Sequence, residues 1–228
     1  MLELFSVIFI PLTAGGGIRT IDDIRNLLRA GADKVAINTA AIRNPNFIRD
    51  AAKVFGSQCI VVSIQAKLID KNKYEAFTDN GREKTGRDVF DWVKQAVELG
   101  AGELLITSID RDGTGKGYDI ELIRKISEMV PVPVIACAGA GRCEHFLEVI
   151  REGKADAVCA ASIFHYYHLE VLKSADKFKE EGNTEFIRQT RGSVEYLKDR
   201  IYPLGIPRLK QFLQETGIAT RICKEGEN

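Results

Sequence analysis

The sequence predicts an α/β fold, a parallel sheet assembled from successive strand–helix–strand units. Three observations carry that prediction. Short β-branched runs without polar alternation, such as Cys59-Ile-Val-Val-Ser-Ile64, alternate with amphipathic helical stretches. Two glycine-rich stretches, Pro11-Leu-Thr-Ala-Gly-Gly-Gly-Ile-Arg-Thr20 and Pro133-Val-Ile-Ala-Cys-Ala-Gly-Ala-Gly-Arg142, each stop an apolar run and lead into a helix. A further short run follows each, from Ala32 to Thr39 and from Ala155 to Ser162. At a constant offset Gly16 lies on Gly139, Arg19 on Arg142, Asp33 on Asp156 and Thr39 on Ser162. The chain therefore contains an internal repeat.

Val7–Leu12 is expected as the first strand, ended by Gly15-Gly-Gly17. Thr20-x-x-Asp23 is a capping box for a helix whose Ile21, Ile24, Leu27 and Leu28 share a face and which Gly31 ends. Lys34–Asn38 reads as a strand. Pro45 suits the first turn of a helix that turns Phe47, Ile48, Ala51 and Val54 inward and closes at Gly56. After the strand beginning at Cys59, Lys67–Asp70 and Tyr74–Thr78 form a charged hairpin, with Asp79-Asn-Gly81 as a turn. A helix through Val89, Trp92, Val93 and Val97 ends at Gly100. Glu103–Ile109 is a strand running into Asp110-Arg-Asp-Gly-Thr114, and Ile120, Leu122, Ile123, Ile126 and Val130 mark the next helix. Val134–Cys137, a helix around Phe146 and Val149, and Asp156–Ala160 complete the second glycine-rich unit. Leu169–Gly205 breaks the rhythm. Its charged composition predicts a solvated helical insert ahead of a last helix, Pro207–Thr216. Residues 1–228 are thus expected to form one domain with 169–205 inserted in it.

Charge is balanced, with 32 basic and 32 acidic residues, which argues against a nucleic-acid or membrane-binding surface. Neutral net charge leaves room for a small anion, because backbone amides bind phosphate without altering it. Five cysteines are odd in number and form no C-x-x-C pair, so they are expected to be reduced, mostly buried thiols of a cytoplasmic protein. Three histidines without ligand spacing predict no metal site. The N-terminal apolar run lacks a basic flank and contains Glu3, so it reads as part of a strand and not as a signal peptide.

A glycine-rich turn between strand and helix presents free N–H groups, and the helix dipole adds partial positive charge. Gly16 and Gly17, backed by Asn38 and Thr39, are candidates for one phosphate cup. Gly139, Ala140 and Gly141, backed by Ala161 and Ser162, are candidates for a second. Tight turning accounts for either turn singly, and the repeat leaves both readings open. Asp110 and Asp112 sit at a strand end, on the face where α/β barrels keep their active sites, although Asp112-Gly113-Thr114 also suits an ordinary turn. Lys34 and Glu103 lie at the opposite strand ends, where an ordinary ion pair is the plain reading.

Several longer segments identify a family. Ile10-Pro-Leu-Thr-Ala-Gly-Gly-Gly-Ile-Arg-Thr20, Gly31-Ala-Asp-Lys-Val-Ala-Ile-Asn-Thr-Ala-Ala41, Phe55-Gly-Ser-Gln58, Gly100-Ala-Gly-Glu103, Thr107-Ser-Ile-Asp-Arg-Asp-Gly-Thr114, Gly153-Lys-Ala-Asp-Ala157 and Ala161-Ser-Ile-Phe-His165 together closely resemble the cyclase subunit of imidazole glycerol phosphate synthase. The resemblance runs over about residues 7–168 and the last helix. It implies a (β/α)8 barrel (the TIM-barrel family) with two-fold internal symmetry, of which about six strand–helix units stand in this chain. It also implies ammonia supplied by a separate glutaminase subunit in a heterodimer. The implied substrate is a ribulosyl aminoimidazole carboxamide ribonucleotide with a phosphate at each end, converted to imidazole glycerol phosphate. No metal or organic cofactor is implied. By the same resemblance Gly16, Gly17, Asn38, Thr39, Thr107, Gly113, Gly139, Gly141, Ala161 and Ser162 bind substrate and phosphate, Asp112 is catalytic, and Lys34 and Glu103 mark the ammonia entrance.

This sequence departs from the family pattern in three places. The family's first two units, the first with one of two catalytic aspartates, have no counterpart here. Gln65 stands where the other catalytic aspartate belongs, and an amide neither takes nor gives a proton near neutral pH. Ala138 stands where a glycine is usual. A sheet of about six strands leaves two edges open, so the expectation is a fragment or a truncated paralogue. Two alternatives to the cyclase follow: a paralogous ammonia-delivering subunit for sugar amidation in surface polysaccharide synthesis, and a non-catalytic remnant.

Overall fold

A computed structural model describes residues 10–174 and 200–221. Six parallel strands form a curled sheet in the order β1 (Thr13–Gly15), β2 (Lys34–Ile37), β3 (Ile60–Asp70), β6 (Glu103–Ser108), β7 (Val134–Cys137) and β8 (Ala157–Cys159), and β4 (Lys73–Thr78) and β5 (Glu83–Asp88) extend it as an antiparallel hairpin beside β3. Among the described residues β1 and β8 each lack an outer neighbour, so the sheet is an open half-barrel, a partial (β/α)8 barrel.

The first strand, β1 (Thr13–Gly15), starts later than Val7–Leu12. Of that expected strand, residues 7–9 lie outside the described residues, and Leu12 belongs to a polar clasp instead. Leu12 N–H donates to the Asp33 carboxylate at 2.8 Å, and Leu12 O accepts from Asp33 N–H at 2.9 Å. The parallel ladder to β2 (Lys34–Ile37) therefore opens at Thr13 opposite Lys34. The second half repeats the clasp. Val134 N–H donates to Asp156 Oδ2 at 2.9 Å, Val134 O accepts from Asp156 N–H at 3.0 Å, and β7 (Val134–Cys137) pairs with β8 (Ala157–Cys159) from Ile135 opposite Ala157.

These equivalences correct the constant offset. Leu12 matches Val134 while Arg19 matches Arg142, so the second turn is one residue longer. Backbone conformation agrees: Gly16 and Gly17 have φ of 98° and 71°, and Ala138 and Gly139 have 81° and 101°. Gly16 is therefore matched by Ala138, and Gly17 by Gly139. An alanine held in that region carries strain of roughly 1–2 kcal/mol.

Helix α1 (Ile21–Arg29) begins at the predicted capping box, with Asp23 N–H donating to Thr20 Oγ1 at 3.1 Å and Thr20 N–H donating to Asp23 at 2.8 Å. A short helix α2 (Thr39–Arg43) then precedes α3 (Asn46–Phe55). Asn38 thus leads into a helix, and Thr39 is its first residue and not a strand end. Phe47, Ile48 and Ala51 of α3 are buried as expected, but Val54 is 54% exposed, because the sheet is covered by the other face.

Strand β3 (Ile60–Asp70) is longer than its apolar run and continues into the hairpin with β4 (Lys73–Thr78). The polar strand β5 (Glu83–Asp88), absent from the sequence reading, pairs with β4; the buried Glu75 carboxylate accepts from Thr85 and Gly86 N–H at 3.1 and 2.8 Å. Asp88 caps α4 (Val89–Glu98). β6 (Glu103–Ser108), α5 (Ile120–Met129), α6 (Cys143–Arg151), α7 (Ser162–Ser174) and α8 (Ile206–Glu215) complete the alternation. The expected insert 169–205 begins inside α7, and residues 175–199 lie outside the described residues.

Alternate strand residues face opposite ways. Val35, Ile37, Ile60, Val62, Ile64, Leu104, Ile106, Val134 and Ala136 are buried beneath the helices and form the core. Lys34, Ala36, Ser63, Gln65, Glu103, Thr107 and Cys137, out of phase with them, are half-buried on the concave side. Burying one apolar side chain of this size contributes about 1.5–3 kcal/mol, so the convex layer sets the register. The cysteines are less buried than expected: Cys59, Cys137 and Cys143 are partly exposed, Cys159 is exposed, and none of these four is paired in a disulfide. Cys223 lies outside the described residues.

Candidate functional site

A cavity of about 730 Å³ opens at the C-terminal ends of β1, β2 and β3. It brings together five residues singled out in the sequence: Gly16, Gly17, Asn38, Thr39 and Gln65. Positive φ at Gly16 and Gly17 demands glycine, and a Cβ at either would meet nothing within 4 Å. The turn is therefore open to the cavity. Among the described residues the amides of Gly17 and Ile18 have no acceptor, whereas those of Arg19 and Thr20 donate to Asp23. These two hydrogen bonds hold the Asp23 carboxyl below its ordinary range.

Asn38 and Gln65 are joined. Gln65 Oε1 accepts from Asn38 Nδ2 at 3.1 Å and from Gly81 N–H at 2.8 Å, tying β2 and the β4–β5 turn to β3. Asn38 Nδ2 also donates to Phe77 O at 3.3 Å, while among the described residues Asn38 Oδ1 is buried without a donor. A buried acceptor left open beside a cavity is placed to receive a hydroxyl or amide from an occupant. The sequence reading did not assign Arg19, Arg43, Asn44, Ser63, Asp79 or Asn80 to a site, yet each lines the cavity. The arginines supply positive charge beside the open glycine turn. Among the described residues Asp79 is the one carboxylate on the cavity wall, and its DNG turn was legible only as a turn.

Thr107, Asp112, Gly113, Gly139, Gly141, Ala161 and Ser162 do not line this cavity; they lie around the mouth of the other half. Register places Gln65 opposite Thr107, Thr107 opposite Cys137, and Cys137 opposite Cys159, one row across four strands. Asp112 is exposed, and its N–H donates to Ser108 O at 3.1 Å. Asp110 has a structural task. It pairs with Lys67 and accepts from Leu68 N–H at 2.8 Å, pinning its loop to β3. Burial pushes the Asp110 carboxyl up, but Lys67 and the Leu68 amide outweigh it and hold the group below its ordinary range.

The second glycine turn is packed where the first is open. Gly139 O accepts from Gly117 N–H at 2.8 Å, and Gly141 O accepts from Tyr202 N–H at 2.7 Å. A Cβ would come within 2.2 Å of Gly117 O at Gly139 and within 2.1 Å of Arg200 O at Gly141. Gly141 N–H donates to Nδ1 of the buried His145 at 3.1 Å, which removes one amide from the expected second cup. Burial, reinforced by Arg142, lowers the His145 pKa and favours the neutral ring that accepts this bond. Ala161 and Ser162 stand at the N-terminus of α7.

At the opposite ends of the strands Lys34 on β2 and Glu103 on β6 form an ion pair on the concave side, reaching across β3 between them. Among the described residues no three His, Cys, Asp or Glu side chains are grouped to hold a metal ion, and no helix is long and apolar enough to cross a membrane.

A family model described as histidine biosynthesis protein matches residues 1–170, about three-quarters of the chain. The match covers the strand–helix units that build the cavity, the row of concave residues and both glycine turns. The chain belongs to the histidine biosynthesis protein family, a family of enzymes built on the (β/α)8 barrel.

Proposed function

We propose that the chain is the cyclase-like member of this family. In this reading it binds a bis-phosphorylated ribulosyl aminoimidazole carboxamide ribonucleotide and uses ammonia from a glutaminase partner to form imidazole glycerol phosphate. The observation that carries the proposal is the cavity uniting the open Gly16–Gly17 turn, Asn38 and Thr39 with Gln65. Unengaged amides of Gly17 and Ile18, with Arg19 and Arg43 beside them, suit one terminal phosphate. Asn38 Oδ1 suits a donor on the sugar or base. The second phosphate falls to Ala161 and Ser162 at the start of α7, with Gly113 and Gly139 nearby.

Ammonia would enter past Lys34 and Glu103 at the N-terminal face, where the glutaminase docks, and travel up the concave side of the central strands toward Gln65. Gln65 positions the substrate without moving a proton, which leaves Asp112 as the ionisable one of the two residues assigned catalytic roles in this chain. General acid–base catalysis typically contributes about 10²–10⁴-fold, so turnover is slow beside binding. Gln65 also favours a second reading: an ammonia-delivering subunit for sugar amidation, in which phosphate binding and ammonia transfer persist and the cyclisation chemistry does not. A non-catalytic remnant would bind and do neither.

The test is to supply the purified chain with the ribulosyl substrate and an ammonium salt, following products chromatographically and binding calorimetrically. Imidazole glycerol phosphate formation supports the cyclase. Binding without product points to the second reading or the remnant, and amidation of a sugar acceptor separates those two. Failure to bind the bis-phosphorylated substrate would overturn the cyclase assignment. Gln65→Asp should raise any turnover by at least about tenfold if the remaining site is intact.

A further inference from the structure

Cys137 and Cys159 stand apart from the proposed ammonia chemistry. They are register partners on adjacent parallel strands, β7 and β8. Adjacent strands run about 4.7–4.9 Å apart, within the Cα separation of about 4.4–6.8 Å that a disulfide spans. Their side chains share the concave side, close enough that each thiol shifts the ionisation of the other, and Thr107 is the register partner of Cys137 on the opposite flank. Cys159 is exposed on an edge strand, while Cys137 is only partly exposed. Tyr118 Oη donates to Cys159 O at 3.1 Å and fixes that strand against the neighbouring loop. The arrangement has an exposed cysteine, a second thiol on the adjacent strand and a held backbone.

We propose that Cys137 and Cys159 form a peroxide-reactive dithiol, with Cys159 the attacking sulfur and Cys137 the resolving one. The Cys159 thiolate attacks one oxygen of a hydroperoxide such as hydrogen peroxide. The O–O bond breaks, Cys159 becomes a sulfenic acid, and hydroxide leaves and takes up a proton as water. The Cys137 thiol then attacks the Cys159 sulfur, forming the S–S bond and releasing the sulfenic oxygen, with the thiol proton, as a second water. Two thiols lose two electrons, and one peroxide becomes two waters. A dithiol reductant reverses the change.

Electrostatics agree with the division of roles. The neighbouring Cys137 thiol stabilises the Cys159 thiolate and lowers its pKa, while the Cys159 sulfur, with burial, keeps Cys137 protonated. Cys143 is an internal control. Burial and Glu144 raise its pKa, so its thiolate is scarce at neutral pH.

The experiment treats the full chain with substoichiometric hydrogen peroxide at neutral pH, alkylates under denaturing conditions with N-ethylmaleimide, and maps tryptic peptides. The expected product is a cross-link between the peptide spanning residues 126–142 and that spanning 155–173, reversed by dithiothreitol. Cys159 should be consumed at least about tenfold faster than Cys143, because its larger thiolate fraction outweighs the lower nucleophilicity of a more acidic thiol. Cys137→Ser should halt the reaction at a dimedone-reactive Cys159, whereas Cys143→Ser should leave the cross-link intact. Equal oxidation of Cys143 and Cys159, or cross-links formed mainly between chains or to Cys143, would overturn the proposal. The wild-type peptide map decides this even if a variant fails to fold.

Discussion

Replacing Gln65 with leucine tests the cavity wall directly. The side chain is similar in size but offers no acceptor, so the Gly81 amide at 2.8 Å loses its partner and the Asn38 amide at 3.1 Å is left with Phe77 O alone. A typical hydrogen bond contributes about 1 kcal/mol net, and an abandoned buried donor costs about 1–3 kcal/mol. Gln65 is half-buried at a cavity that admits water, which offsets part of that loss. The expected destabilisation is therefore about 1–2 kcal/mol, or a fall in Tm of about 2–8 °C for a chain of this size. Gln65→Glu keeps an acceptor at the same reach and should stay close to wild type at neutral pH. Thermal unfolding by circular dichroism, with urea melts to check that the denaturant slope is unchanged, measures both. A leucine variant as stable as wild type, or a glutamate variant as weak as the leucine, would refute the idea that Gln65 fastens β2 and the β4–β5 turn to β3.

Three further outcomes are expected. Thr20→Ala removes the hydroxyl of the capping box and should cost about 1 kcal/mol in urea unfolding, with little change in slope. The two glycine turns should respond differently. Gly16→Ala meets no neighbour and should cost roughly 1–2 kcal/mol through its backbone alone while weakening phosphate binding; Gly139→Ala drives a Cβ to 2.2 Å from Gly117 O and should cost more in stability. Calorimetric titration with phosphate beside a thermal melt distinguishes them. Asp110 has a folded-state pKa below its ordinary value, so its ion pair stabilises the protein above the unfolded pKa of about 3.9 and is lost as pH falls through the folded value. Asp110→Asn should accordingly flatten the acid limb of stability between about pH 2 and 5, and an unchanged limb would count against the Lys67 contact.

Sequence alone determined the elements whose signals are local. The Thr20–Asp23 box, the apolar face of α1 and the β7 run are written within a few neighbouring residues, and capping or periodicity acts over that range. The resemblance placed Gly16, Gly17, Asn38, Thr39 and Gln65 in a common site. Tertiary structure decided what depends on strands meeting. The apolar run beginning at Cys59 does not reveal that Ser63 and Gln65 face the concave side, because helices cover only the other. β5 is polar along most of its length and exists because Glu75, on the neighbouring strand, takes its amides. Arg19 reaches the cavity from the first glycine turn, Arg43 from the end of α2 and Asp79 from the β4–β5 turn, and only the curl of the sheet unites them. The two glycine turns read alike in sequence, yet one is open and the other filled, because residues 115–117 and 200–202 fold over the second and nothing described covers the first.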